Sequence, residues 1–550
     1  MASEAIEHQN ESRSPPQLES PRPLQGERKK DIEIRDGNGV VEVSEEARIE
    51  RLGRMRPERF RTVWEEIGFC FSVVMSQALT EYFVSGFNVI LPTVAQELNI
   101  PRPSQTWPTA AFSLVVSSFL LTFGRLSDMY GGKLVYVCGI AWLFVWSIVA
   151  ANAQNELMMD FCRALQGLGP AAYLPSSLML LGSIYRPGPR KNLVFSIYGA
   201  MAPLGFYIGI FFAGVTAEFA TWSWFFYIGA ILTGVTGVIA YFTIPSDTKE
   251  RRQMNIKMDW LGAVLISTGL ILVVFAITDS SHAPNGWATP YIPTLLAVGL
   301  IILGAAVYVE GWVAEMPLLP ADLFKVKYMT PLIIALLFNY GTLGIFLLYA
   351  TFYMTYIMGG SPMQLVAWFT PMALGGCIIA TVGGFVLHII SGTIIVIIAG
   401  VSWIIAPLLF AIMPVDANFW AYTFPSMVCA TVAIDLTFNV TNIFITTSMP
   451  LRRQGLAGAL INSILQLGIA ISLGFADIVA SGTEGKGLRR SYKAVFWFEV
   501  AWAVVALVLL VGFVKLDKAK SELTADEREE LEMRSRREQM RAEEAEQGDS

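Results

Sequence analysis

The chain has 550 residues, of which 54% are hydrophobic and only 15% charged, and its mean hydropathy of +0.51 excludes a soluble globular domain. The net charge of −6 lies in the ends: residues 1 to 61 carry 13 acids against 12 bases and residues 516 to 550 carry 12 against 7, leaving 20 of each between them. The acidic balance therefore carries no information about a ligand, and nucleic acid is not an expected partner.

Residues 1–64 are rich in Pro, Ser, Glu and Arg and lack the apolar content that offsets ordering entropy, which predicts a disordered tail. No charged-then-apolar start precedes the first apolar run, so no cleavable signal peptide is expected and the first span acts as the insertion signal. A helical crossing needs about 20 mostly apolar residues because lipid offers the backbone no hydrogen-bond partners. Fourteen runs meet this requirement, near 67–91, 107–123, 134–153, 158–184, 193–216, 223–244, 259–278, 291–310, 330–356, 365–387, 392–413, 419–447, 455–480 and 493–515. The expected class is an all-α membrane protein of 14 transmembrane helices. In the connecting loops 13 basic residues fall on one side and 5 on the other, which predicts that both termini are cytoplasmic. The late cluster Lys486, Arg489, Arg490 and Lys493 goes against that trend and reads as headgroup anchoring. Thr524-Ala-Asp-Glu527 has the pattern of a capping box and predicts a short charged helix in the tail 516–550.

Ionised groups at mid-membrane cost about 2.5 to 3.5 kcal/mol and need a partner or a wet cavity. By position in the runs, Glu81, Arg163 and Asp435 lie deep, whereas Asp160, Asp477 and Glu499 lie near outer ends where water is within reach. Gln77, Glu81, Ser85 and Asn88 recur at helical spacing on span one, as do Thr431, Asp435, Asn439, Asn442 and Thr446 on span twelve. Span nine carries Thr342, Tyr349, Tyr353 and Tyr356, a face suited to a drug-sized organic molecule. Interhelical glue is the plainer reading of such stripes.

Cys70, Cys138, Cys162, Cys377 and Cys429 each sit inside an apolar run without CxxC spacing, so neither disulfides nor a metal site is expected. His8, His282 and His388 have no metal-ligand or triad spacing, and no GxxxxGK[ST] occurs, which predicts a protein that is not an enzyme, needs no cofactor and does not hydrolyse ATP.

The loop after span two reads Gly124-Arg-Leu-Ser-Asp-Met-Tyr-Gly-Gly-Lys133. It resembles the signature loop of the major facilitator superfamily, and Gly384 to Gly392 repeats its spacing with His388 where Asp128 stands. The resemblance implies two six-helix halves, at 65–245 and 326–515, around an inserted pair at 246–325. It implies a gating loop built on Gly124, Arg125, Asp128, Gly131, Gly132 and Lys133, with Arg125 and Lys133 as its cations because Met129 stands where a base is usual. Arg163-Ala-Leu-Gln-Gly-Leu-Gly-Pro-Ala-Ala172 resembles the family's fourth-helix motif, whose arginine is linked to proton coupling, and Gly199-Ala-Met-Ala-Pro-Leu-Gly-Phe-Tyr-Ile-Gly209 resembles the antiporter motif, through Gly199, Pro203, Gly205 and Gly209.

Asp259-Trp-Leu-Gly262, Pro317-Leu-Leu-Pro-Ala-Asp-Leu-Phe324 and Gln454-Gly-Leu-Ala-Gly458 resemble the 14-span drug:proton antiporter branch, and Asp435 to Asn442 is similar to fungal aminotriazole-resistance and low-affinity ammonium-type members. In that branch an acid precedes an Asn-x-x-Leu-Pro ending; here Asn88 to Pro92 is present while Phe83 holds the acid's position. The resemblance places spans one, four, nine and twelve around the cavity. Either the polar stripes hold the proton carrier, Glu81 or Asp435, with Arg163 coupled to it as the resemblance implies, or coupling differs in this member; the stripes also offer a substrate cavity lined by Gln77, Ser85, Asn88, Tyr349, Tyr353, Tyr356, Asn439 and Asn442. The expected function is export of a drug, toxin or secondary metabolite by proton antiport, from a monomer in the plasma membrane or the vacuolar membrane. Two alternatives are an importer or facilitator of a small solute such as ammonium and a sensor or scaffold that transports nothing.

Overall fold

The computed structural model describes residues 35–36, 39–40, 55–185, 189–253, 256–448 and 454–516. The expected disorder of the first tail, the capping-box helix at 524–527 and the side chain of His388 lie outside the described residues. In the first unit, β1 (Arg35–Asp36) and β2 (Gly39–Val40) form a minimal antiparallel pair with Arg35 opposite Val40.

The second unit is helical. Fourteen long helices match the fourteen apolar runs: α1 (Val63–Glu97), α2 (Trp107–Tyr130), α3 (Gly132–Ala150), α4 (Glu156–Ile184), α5 (Pro189–Phe219), α6 (Ser223–Thr243), α7 (Trp260–Asp279), α8 (Tyr291–Tyr308), α9 (Met329–Tyr356), α10 (Pro362–Ile389), α11 (Gly392–Ile412), α12 (Thr423–Thr447), α13 (Gln454–Thr483) and α14 (Leu488–Phe513). Among the described residues, thirteen of these helices are long and apolar enough to cross a membrane by length and composition. The exception, α4, is diluted by Arg163, Gln166, Gly167, Gly169, Pro170, Pro175, Ser176 and Ser177, all buried within the bundle. Side chains cap the starts of α1, α4 and α7: Thr62 accepts from the amide of Glu65, Asn155 from Met158 and Asp259 from Gly262.

The packing repeats with an offset of eight. In the first half α1 packs on α5 and α6, α2 on α4, and α3 on α4 and α6; in the second, α9 packs on α13 and α14, α10 on α12, and α11 on α12 and α14. The halves meet through two symmetry-related pairs, α2 with α13 and α5 with α10. Helices α7 and α8 pack on each other, and α7 seats on α2 and α13 as the inserted pair. Adjacent residues of α2 make both joints: the carbonyl of Ser117 accepts from Ser463 of α13 at 2.9 Å, and that of Ser118 from Ser267 of α7 at 2.7 Å.

The face where α1 begins and α14 ends is termed basal, and the opposite face distal. Among the described residues, hydrogen bonds between the halves run from the distal face to mid-bundle: Thr106 to Asp477, Tyr356 to Gln105, the Met363 amide to Glu218, Tyr207 with Thr370, and Ser463 to Ser117.

Candidate transport site

Helix α1 is held to α5 by backbone approaches that only glycine permits. A Cβ on Gly205 would lie 2.5 Å from Ala78 Cα and its carbonyl oxygen, and one on Gly209 would lie 2.6 Å from the carbonyl oxygen of Tyr82. Gly86 faces the Gly209 carbonyl from the other side at 2.5 Å. Small residues at four-residue intervals let two membrane helices come this close. Gly199, the first glycine of the same motif, has open space around it.

This packing fixes what the polar stripe of α1 does. Ser85 donates to the carbonyls of Glu81 at 2.7 Å and of Phe206 at 2.8 Å, and Asn88 accepts from Thr109 at 3.2 Å. These two residues are buried and join α1 to α5 and α2. Gln77 and Glu81 remain together: the Gln77 amide donates to Glu81 at 3.2 Å and its oxygen accepts from Tyr198 of α5 at 3.1 Å. Glu81 is half-buried.

Asp435 on α12 reaches toward the same place from the second half. Its carboxylate accepts from Thr431 at 3.0 Å, while the Thr431 hydroxyl also donates to the Met372 carbonyl. A Cβ on Gly376 of α10 would lie 3.2 Å from Asp435 Oδ2 and 3.0 Å from Cβ of Pro203. The antiporter-like proline of α5 and the acid of α12 thus flank a bare glycine. Among the described residues no basic side chain forms an ion pair with Glu81 or Asp435. Asn439 and Asn442 continue the α12 stripe and are half-buried, consistent with a polar wall.

Arg163 sits apart from both acids. Its guanidinium is fully buried between the rings of Phe87 and Phe112, 4.0 and 4.4 Å from their centroids. It donates to Gln166 and to the carbonyl of Phe83, each at 3.1 Å. Stacking on aromatic faces and carbonyl contacts replace a carboxylate partner. The Phe83 side chain points the other way, edge-on to Tyr82 and Phe225 and 2.5 Å from a Cβ built on Gly229 of α6. Glu81 is therefore no displaced copy of an acid at position 83; the two positions face different helices.

The tyrosine stripe of α9 is engaged by neighbouring helices. Tyr349 donates to Asp477 at 2.9 Å and meets Tyr492 edge-on; Tyr353 packs against Phe410 and Phe496 and accepts from Arg489 at 3.3 Å; Tyr356 donates to Gln105 at 3.3 Å beneath Arg102. These rings build the second half and the distal contact, because helical spacing identifies a face without saying what it faces. Asp477 and Glu499, read as reaching water, are 5% and 0% exposed.

At the basal face the loop between α2 and α3 turns at Gly131, where φ is 100°, a region that favours glycine. Asp247, just before the short helix Thr248–Gln253, accepts from the amides of Gly132 at 2.9 Å and Lys133 at 3.4 Å. Arg251 bridges Asp247 at 3.8 Å and Asp128 at 3.7 Å. Arg125 donates to the carbonyls of Met316 and Pro317 at 3.1 and 2.6 Å, and Lys133 lies over the Tyr241 ring. The cation that meets Asp128 is therefore Arg251 of the α6–α7 connection, while Lys133 points elsewhere. Gly124 lies between Pro175 and Ala459, beside the joint of α2, α4 and α13. The basic run Lys249 to Arg252 was the only trace of this partner in the sequence, where it served the topology.

Two pseudo-symmetric six-helix halves, a helix pair inserted between them and a polar site where the halves meet define a secondary transporter. The chain belongs to the Major Facilitator Superfamily, whose family model matches residues 73–473. Among curated relatives it is 31% identical to efflux pump terJ of Aspergillus terreus over 83% of this chain and 89% of that one. It is 30% identical to two Saccharomyces cerevisiae proteins, the aminotriazole resistance protein, over 84% and 88%, and the low affinity ammonium transporter, over 85% and 93%. The fold is shared with nucleoside transporter NupG, at TM-score 0.58 and 14% identity over 82% of this chain and all of that structure. It is shared also with human MFSD10, at TM-score 0.53 and 13% identity over 81% and 98%.

Proposed function

We propose that this transporter exports a small organic compound in exchange for protons. The observation that carries the reading is that each half contributes one carboxylate deep in the bundle, Glu81 and Asp435, and that among the described residues neither has a basic partner at ion-pair distance. A carboxylate held in the membrane without a cation is relieved by a proton or by a ligand, so proton and substrate compete for it. Arg163 acts from behind, holding the α1 backbone at Phe83, two residues from Glu81. The excess of basic loop residues favours a cytoplasmic basal face. Relatives named as an efflux pump and a resistance protein favour export of a drug, toxin or secondary metabolite. A monomer in the plasma membrane is the working arrangement.

Uptake of a small cation is the second reading, favoured by the relative named an ammonium transporter and by the acidic pair. Proteoliposomes with an imposed pH gradient separate the two: export predicts substrate movement against the proton flow, and uptake the same direction or no dependence. Glu81→Gln and Asp435→Asn are expected to abolish gradient dependence, and unchanged dependence in both would sink the assignment.

A further inference from the structure

A second buried carboxylate stands outside the mechanism above. Asp477 on α13 is 5% exposed and lies where the halves meet near the distal face. One carboxylate oxygen accepts from Thr106, at the start of α2 in the first half; the other accepts from Tyr349 of α9 in the second half at 2.9 Å. The groups around it are few. His282, between α7 and α8, acts on its charge, but its ring nitrogens are engaged by the carbonyls of Thr278 and Pro103. Arg102, Glu484 and Tyr492 line the small crevice that leads to Asp477 from the distal face. Among the described residues no cation forms an ion pair with Asp477.

Its hydrogen-bond partners are two hydroxyls, and His282 acts on it only from beyond ion-pair distance, which is little compensation for a carboxylate taken out of water. A desolvated charge without a cation partner is disfavoured, whereas a neutral acid can donate one hydrogen bond and accept another in the same place. Separating α2 from α13 at the distal face would break the Thr106 contact and admit water through the crevice, where the charged form is at home.

We propose that Asp477 is the proton-sensing latch of the distal gate: the neutral acid belongs to the closed gate, and loss of its proton favours opening. Asp477 is a positioning residue, since the proton it takes sets which face the cavity addresses and need not cross the membrane. The inference rests on the reading of this chain as an alternating-access transporter, but its test needs no substrate.

The test follows labelling of Ser481→Cys, in the crevice, by a membrane-impermeant maleimide added at the distal face of the full-length protein in liposomes. Labelling of Gly485→Cys, on the exposed connection to α14, corrects for the pH dependence of the thiol. The normalised rate is expected to rise severalfold from acid to mildly alkaline pH. Asp477→Asn, a permanent mimic of the neutral acid, is expected to lower it severalfold and flatten the profile. Thr106→Val and Tyr349→Phe, which remove the closed-state hydrogen bonds, are expected to raise it. These opposite signs separate a proton latch from a structural contact, for which all three substitutions loosen the gate. The proposal is overturned if Asp477→Asn raises labelling or leaves it unchanged. It is also overturned if the pH response persists in Asp477→Asn and disappears in His282→Asn. Loss of the flux predicted above, with this labelling pattern intact, would overturn the export reading alone.

Discussion

The close approach of α1 and α5 gives a sharp contrast within one motif. At Gly205 an added methyl would sit 2.5 Å from Ala78 Cα and 2.5 Å from its carbonyl oxygen, more than an ångström inside an ordinary carbon contact. Both obstacles are backbone atoms that cannot rotate away, so the helices must part, an overpacking cost of about 1 to 3 kcal/mol. Replacing helical glycine by alanine returns roughly 0.5 to 1 kcal/mol. At Gly199 nothing lies within 4 Å, so Gly199→Ala keeps only the gain. Unfolding of the two variants in detergent is therefore expected to differ by about 1 to 3 kcal/mol, with Gly205→Ala the less stable. Its transport rate is expected to fall as well, because α1 carries Glu81 on the helix that is displaced. Equal stability and equal transport in the two variants would refute the argument that contact distance, rather than membership of a glycine motif, decides their roles.

Two other outcomes follow from particular contacts. Phe83→Asp, which restores the acid usual in the branch, is expected to impair folding rather than strengthen coupling, because that side chain is fully buried against Tyr82, Phe225 and Gly229. Loss of a large core ring alone costs about 3 to 5 kcal/mol; a well-folded variant with steeper proton dependence, judged by size-exclusion profile and flux, would contradict this. At the basal latch, Asp128→Arg is expected to slow cycling and Arg251→Asp to do the same, while the double swap restores much of the rate. The Asp128 side chain is 37% exposed, so the pair contributes only about 0 to 1 kcal/mol. A double variant no faster than either single one, measured as initial flux, would mean that Asp128 and Arg251 do not act through each other.

The sequence by itself determined the architecture. Length of the apolar runs, loop charge and the repeated loop motif fixed fourteen helices in two halves, because lipid allows a hydrophobic run few alternatives to a helix. It also singled out Glu81, Arg163 and Asp435, since charge in such a run stands out. It did not decide which neighbour each polar side chain meets. Ser85, Asn88 and the tyrosines of α9 share helical faces with the other candidates, and only packing showed which neighbouring helices they bind. Asp477 was passed over for a related reason: nearness to a span's end suggested water, but Thr106 from the other half covers it. Asp247 and Arg251 lie more than 100 residues from the loop they hold. Periodicity along one helix records which residues point the same way; the partner across the gap comes from another part of the chain, and the tertiary structure alone brings it there.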